Sequence, residues 1–248
     1  MSFDKIIAVR TDKTVYRDGD RCLKVFGEEY SKADVLVEAL NQARAEEAGI
    51  RVPKLLGVTI TDGKWTIVSE YIKGKTLERI ALENPGKKEE CIAKLVDVQL
   101  EMQSKSCPKL RKLRDRLIEK INAADIPATA RYSIIARLAE LPTHNKICHG
   151  GFTLSNVMLG DNGETYILDW IHATRGNASA DAAFTYFRFG MSGASDDAER
   201  YLDLFCEKSG TEKQYVQKWM PVIATAQSVN GNAREREFLL PFINEINK

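Results

Sequence analysis

Residues 148–159 read CHGGFTLSNVML, and residues 166–170 read YILDW. Between them lies GDNGE (160–164), a run of turn formers, so the spacing predicts a hairpin with NVML and YILDW as its strands. Such a hairpin carries Asn156 at the start of one strand and Asp169 at the end of the other, thirteen residues apart in sequence but close in space. His149 precedes Asn156 by seven residues, and two places after the histidine stands Gly151.

Upstream, residues 3–26 contain IIAV, TVYR and RCLKVF, three strand-like runs separated by the polar turns TDK and DGD. From Ser31 the period changes. SKADVLVEALNQARAEEAG (31–49) puts Val35, Ala39, Leu40 and Ala43 at helical spacing, opens on a capping serine and stops at Gly49. VPKLLGVTI and KWTIVSEYI then return to strand character, with TDG as the turn between them. Residues 76–142 are almost wholly helical by pattern, with prolines at the edges of the segments, where they are tolerated. After the hairpin, helices resume as ADAAFTYFRFG, DDAERYLDLFCEKSG, EKQYVQKWMPVIATAQSV and EREFLLPFINEI. The fold class is therefore α+β and bilobal. A small β-rich lobe with one helix occupies residues 1–74, a larger, mostly helical lobe occupies 75–248, and a cleft is expected between them.

The chain has 248 residues, a formal net charge of +1, 44% hydrophobic and 29% charged residues. That is enough apolar material for a sizeable core and too hydrophobic for disorder. A near-zero charge gives no bulk drive toward nucleic acid or anionic membranes. KLRKLRDRLIEK (109–120) is basic, but Leu110, Leu113, Leu117 and Ile121 form an apolar stripe that reads as a surface helix rather than an RNA-binding face. No apolar run approaches a bilayer span, and MSFDKIIAV does not read as an export signal. The five cysteines form no CxxC pair and read as free thiols, which fits a reducing cytoplasm. Cys148, beside the loop, reads as a small buried residue.

The residue types suit phosphoryl transfer, in which a protein positions a nucleotide, holds magnesium against phosphate oxygens and orients an acceptor hydroxyl. A strand lysine would reach the phosphates, and alternation in RCLKVF aims Lys24 away from Leu23 and Val25. Glu38 is the best placed of four acidic residues in the following helix to hold that lysine. Asp169 and Asn156 offer hard oxygen donors of the kind magnesium takes. The spacing H-x-D-x-x-x-x-N places an aspartate against the substrate hydroxyl. Here His149 and Asn156 keep the spacing while Gly151 occupies the aspartate's position.

This set, CHG followed by FTLSNVML, ILDW and ATRGNASAD, resembles the aminoglycoside phosphotransferase and choline kinase-like family, whose fold is that of the protein kinases. The resemblance spans most of the chain. It implies that ATP and Mg2+ are the cofactors, that Lys24 is the nucleotide lysine and that Glu38 is its helix partner. Glu70, Tyr71 and Ile72, within SEYIKGKTL (69–77), would form the strand that holds the nucleotide. Asn156 and Asp169 would be the metal ligands, His149 a catalytic-loop residue, and Asp181 the aspartate that braces this loop from behind. The implied partner is a small-molecule hydroxyl acceptor such as an aminoglycoside, choline or a sugar, with neither nucleic acid nor membrane involved. Asp196, Asp197, Glu199, Glu235 and Glu237 are candidate acceptor-side carboxylates, although solvated helix ends are the plainer reading. His172 is a further candidate for that side.

Two departures from the family pattern stand out. The turn TDKTVYRD (11–18) lacks the glycines of protein kinases, as members of this family often do. Gly151 replaces the catalytic aspartate. A positioned general acid–base group contributes about 10²–10⁴-fold, or roughly 3–5.5 kcal/mol. Positioning and metal electrostatics are separate terms. The expectation is an ATP-dependent phosphotransferase impaired by Gly151, with a non-catalytic nucleotide-binding pseudokinase as the alternative.

Overall fold

The computed structural model describes residues 4–9 and 12–245. Phe3 of the first predicted strand region, Thr11 of the TDK turn and Ile246 of the last predicted helix lie outside them. The chain forms two compact units, one of residues 1–79 with 155–172 and the other of 80–154 with 173–248. The hairpin quoted above therefore groups with the N-terminal residues, and the chain passes from the second unit back to the first between Leu154 and Ser155.

The first unit is built on β1 (Lys5–Val9), β2 (Lys13–Asp18), β3 (Arg21–Phe26), β4 (Leu55–Thr61) and β5 (Lys64–Glu70), in the antiparallel order β1-β2-β3-β5-β4. The β4–β5 connection is the predicted one. Asp62 and Gly63 both take positive φ (47° and 79°), the pair a two-residue turn needs to match strand twist. Helix α1 (Lys32–Glu47) begins with a capping box in which the Ser31 hydroxyl accepts from Asp34 N at 3.2 Å and the Asp34 carboxylate accepts from Ser31 N at 3.1 Å. It packs Val35 and Ala39 onto Phe26 and Ile67. A second sheet, β6-β8-β9, joins β6 (Gly74–Thr76) to the hairpin strands β8 (Val157–Gly160) and β9 (Thr165–Ile167).

Helix α1 departs from the amphipathic reading. Its buried face is Val35, Glu38, Ala39, Asn41, Gln42 and Ala45, while Leu36, Val37 and Leu40 are exposed. The three buried polar residues each hold something. Glu38 pairs with Lys24, Asn41 Nδ2 donates to Trp170 O at 3.1 Å, and Gln42 Nε2 donates to Pro53 O at 2.7 Å. Hydrogen bonding makes their burial tolerable.

The second unit is mostly helical, comprising the greater part of α2 (Leu77–Glu83), then α3 (Lys88–Ser104), α4 (Leu113–Ala123), α5 (Ala128–Glu140), α6 (Ala178–Met191), α7 (Ser195–Ser209), α8 (Lys213–Gln217), α9 (Met220–Ser228) and α10 (Ala233–Asn244). Two three-residue strands, β7 (Lys146–Cys148) and β10 (Thr174–Gly176), pair antiparallel. Such short strands carry no alternation to read, and both escaped the sequence pattern. The stretch read as one helix, 212–229, breaks into α8 and α9 around Lys218–Trp219, and Pro221 sits at the start of α9, where its missing N–H costs nothing. Leu113, Leu117 and Ile121 are buried along α4 as the stripe predicts, but the helix starts at Leu113, so Leu110 is buried ahead of it. Helix α6 is apolar almost all round and lies at the centre, against α7, α9 and α10. Among the described residues no helix is long and apolar enough to cross a membrane.

Candidate active site

Alternation places Lys24, opposite Val15 on β2 and Ile67 on β5, on the face of the sheet toward α1. Its ammonium forms an ion pair with Glu38 and lies 2.6 Å from Asp169 Oδ1. Glu38 is 1% exposed, which fixes the lysine from one side. Lys13, at the start of β2, also reaches Asp169, with Nζ 3.2 Å from Oδ1 and 3.5 Å from Oδ2. Burial works against the charge on Lys24, but Glu38 and Asp169 together outweigh it and raise its pKa. Burial likewise works against the charge on Asp169, yet the ammonium groups of Lys24 and Lys13 hold its carboxyl well below the usual range. Lys24 and Asp169 are thus each held in the charged form by the other.

Asp169 follows β9 and takes φ 67°, the left-handed region that a non-glycine residue enters rarely. Leu168 N donates to Asn156 O at 2.8 Å, and Val157 pairs with Ile167, so the hairpin brings Asn156 beside the Leu168–Asp169 turn as the spacing predicts. Trp170 behind it is fully buried, its indole donating to Ile167 O at 3.0 Å, and Asn41 on α1 holds its carbonyl. The surrounding structure holds this sparsely populated backbone conformation in place. An ionised carboxylate and an amide on the same hairpin are hard oxygen donors of the kind that fits magnesium, which uses few protein ligands and completes its shell with water and phosphate.

In the second unit, the loop after β7 is held from beneath. Asp181, completely buried on α6, accepts from Gly150 N at 2.8 Å through Oδ1, and from Gln99 Nε2 at 3.0 Å and Gln103 Nε2 at 3.3 Å through Oδ2. Gly150 has φ 73°, so glycine is suited to that position. Gly151 is half-buried. His149 is fully buried, its ring edge-on to Phe152 at 5.5 Å, so it packs under the loop instead of facing solvent. Asn177 caps α6 by accepting from Ser179 N at 2.9 Å and donates to Tyr215 Oη at 2.7 Å and to Pro142 O at 3.2 Å. Cys148 is fully buried, with its Sγ–H toward Asn177 O at 3.4 Å, and burial pushes its thiol pKa up. This is the structural cysteine that the sequence suggested.

Glu70 ends β5 opposite Arg21, Tyr71 N donates to Asp20 O at 2.9 Å, and the Arg17 guanidinium lies 4.5 Å from the Tyr71 ring centre. Tyr71 and Ile72 are half-buried in the unpaired stretch before β6. Of the acceptor-side candidates, Asp197 pairs with Lys88 at 2.6 Å, Glu199 accepts from Tyr186 at 2.7 Å and Lys213 at 2.9 Å, and Glu235 closes a capping box on Asn232. These three serve helix ends and surfaces. His172 ends the short helical turn Trp170–His172 and is half-buried. The sequence reading missed Lys13, placed in a turn, and Gln99 and Gln103, polar residues on the buried face of α3. Strand periodicity extended back through KTVYRD would have found the lysine.

The profile of the phosphotransferase enzyme family (APH) matches residues 7–215, well over half of the chain. The chain belongs to this phosphotransferase family. No match was found among curated protein sequences. Solved structures agree on the phosphotransferase fold. A thermostable mutant of aminoglycoside phosphotransferase APH(4)-Ia, in ternary complex with ADP and hygromycin B, is 15% identical with a TM-score of 0.70, over 99% of this chain and 94% of that one. Choline kinase LicA from Streptococcus pneumoniae is 13% identical with a TM-score of 0.65, over 100% and 93%. A choline/ethanolamine kinase family protein from Mesorhizobium loti is 15% identical with a TM-score of 0.61, over 100% and 87%.

Proposed function

We propose that this family member binds Mg-ATP and transfers the terminal phosphoryl group to the hydroxyl of a small molecule, at a rate limited by Gly151. One observation carries the reading: Lys24, Glu38 and Asp169, from a strand, a helix and a hairpin, meet in one charged cluster with Asn156 on the same hairpin. Lys24, steadied by Glu38, would bind phosphate oxygens, and Asp169 with Asn156 would hold magnesium. When bound, that ion would offset the charge developing on the transferred group. Glu70, Tyr71 and Ile72 would border the adenine. Asp181 would brace the catalytic loop through Gly150, with His149 packed beneath it as a positioning residue. Residues 1–74 would serve the nucleotide, and 75–248 would carry the catalytic loop and the acceptor site. The five cysteines, none of them disulfide-bonded in the structure, suit a cytoplasmic location. An aminoglycoside, choline or a sugar is the acceptor class, after the neighbours crystallised with hygromycin B or named choline kinases.

Gly151 supports a second reading, a nucleotide-binding protein without catalysis, because glycine offers no acceptor for the hydroxyl proton. Gly150, not Gly151, is the loop glycine with positive φ, so an aspartate at 151 meets no backbone objection of that kind. Phosphorylation of an aminoglycoside, choline and sugar panel is therefore measured for the unsubstituted chain and for Gly151→Asp. Slow transfer that rises about 10²–10⁴-fold in the variant supports the first reading. Magnesium-dependent ATP binding with no transfer by either protein supports the second.

A further inference from the structure

Lys13 is the charged group of the cluster to which the family pattern assigns no role. It stands at the end of the β1–β2 connection, where protein kinases carry a glycine-rich loop over the nucleotide phosphates. Here that connection, residues 10–12 leading into Lys13, reads RTD and then K, with no glycine. The lysine is not aimed there by chance of a loop. Lys13 pairs with Phe26, and Lys24 pairs with Val15, so Lys13, Val15, Lys24 and Phe26 share one face of the sheet and the two lysines are diagonal neighbours. Both ammonium groups converge on Asp169, and the Lys13 side chain is only 8% exposed.

The charges are arranged unevenly. Lys24 has Glu38 and Asp169 as partners, whereas Asp169 is the one carboxylate in ion-pair contact with Lys13 among the described residues. Two buried like charges side by side are costly unless anions compensate them. A carboxylate committed to magnesium would leave Lys13 uncompensated beside Lys24, in a place suited to the oxygens of a polyphosphate. An ammonium is a compact charge with three rotatable donors, able to follow such oxygens.

We propose that Lys13 is a second phosphate-binding lysine, which does for the β- and γ-phosphates in this chain what a glycine-rich loop does in protein kinases. The proposal rests on the nucleotide site described above. Its test is the ratio of ATP to AMP affinity, measured by calorimetry with magnesium, for the unsubstituted chain, Lys13→Met and Lys13→Arg. The expected result is a loss of about 10–100-fold in ATP affinity for Lys13→Met, the size of one hydrogen bond to a charged group. AMP affinity should hold within about twofold, and Lys13→Arg should retain most of the ATP affinity. An unchanged ATP-to-AMP ratio in Lys13→Met overturns the proposal, as does an equal loss for both nucleotides, the mark of a merely structural lysine. If methionine prevents folding, Lys13→Gln gives the same ratio with a neutral polar group. Failure of the unsubstituted chain to bind any nucleotide would instead overturn the site itself, and this proposal with it.

Discussion

Replacing Asp181 separates a packing role from a hydrogen-bonding one. Its carboxylate is completely buried and satisfies three donors, Gly150 N, Gln99 Nε2 and Gln103 Nε2. Asp181→Ala strips all three, and each buried donor left without an acceptor costs about 1–3 kcal/mol. Part of that is recoverable. Gln103 Oε1 has no partner among the described residues, so rotation of the two glutamines can join Gln99 Nε2 to it. Gly150 N, on the backbone, has no such escape. The net cost for alanine is then about 2–5 kcal/mol, with the loop after β7 loosened. Asp181→Asn should behave differently. Its oxygen can keep Gly150 N, and turning the Gln103 amide presents Oε1 to the new Nδ2, while Gln99 Nε2 loses its acceptor, so the cost should be about 1–3 kcal/mol and below that of alanine. Urea unfolding gives both numbers, and hydrogen exchange at the Gly150 amide reports the loop directly. Asparagine and alanine costing the same, or an alanine variant that keeps Gly150 protected, would refute the bracing role.

Other substitutions test neighbouring parts of the account. Glu38→Gln removes the buried partner of Lys24 but leaves Asp169 at 2.6 Å, so the stability loss should be about 1–3 kcal/mol, and ATP affinity should fall more than AMP affinity. Calorimetry with the two nucleotides and an unfolding curve check this. A Cβ at Gly176 would sit 2.5 Å from Leu113 Cβ, so Gly176→Ala should cost about 1–3 kcal/mol by overpacking, read from the urea midpoint. The third concerns pH. Because Lys24 and Lys13 outweigh burial and depress the Asp169 pKa, its contribution to stability is fully present above the unfolded value of about 3.9. It is lost as the pH falls below that value toward the depressed folded one. Unfolding curves from pH 6 to pH 3 should therefore show a shallower acid decline for Asp169→Asn than for the unsubstituted chain.

Local rules made much of the site legible. Strand alternation aimed Lys24, a short turn placed Asn156 near Asp169, and a helix start put Asp181 at the first turn of α6. Each depends on neighbours within a few residues. The features that escaped depend on distant ones. Lys13 reads as a turn residue until β3 is seen beside it. Asn41 and Gln42 break the apolar stripe of α1 because they bind Trp170 O and Pro53 O, contacts that no helical period encodes. Gln99 and Gln103 look like ordinary polar helix residues until Asp181 is found opposite them. In each case a polar side chain binds a partner outside its own element.

The central claim is that Lys24, Asn156 and Asp169 together receive a magnesium nucleotide. Titration calorimetry of ATP into the intact chain, with and without magnesium, tests it most directly. The account predicts saturable heat that weakens at least tenfold when the metal is chelated, and that weakens similarly in Asp169→Asn and Lys24→Met. Absence of heat at millimolar ATP, or binding indifferent to magnesium and to both substitutions, would contradict it.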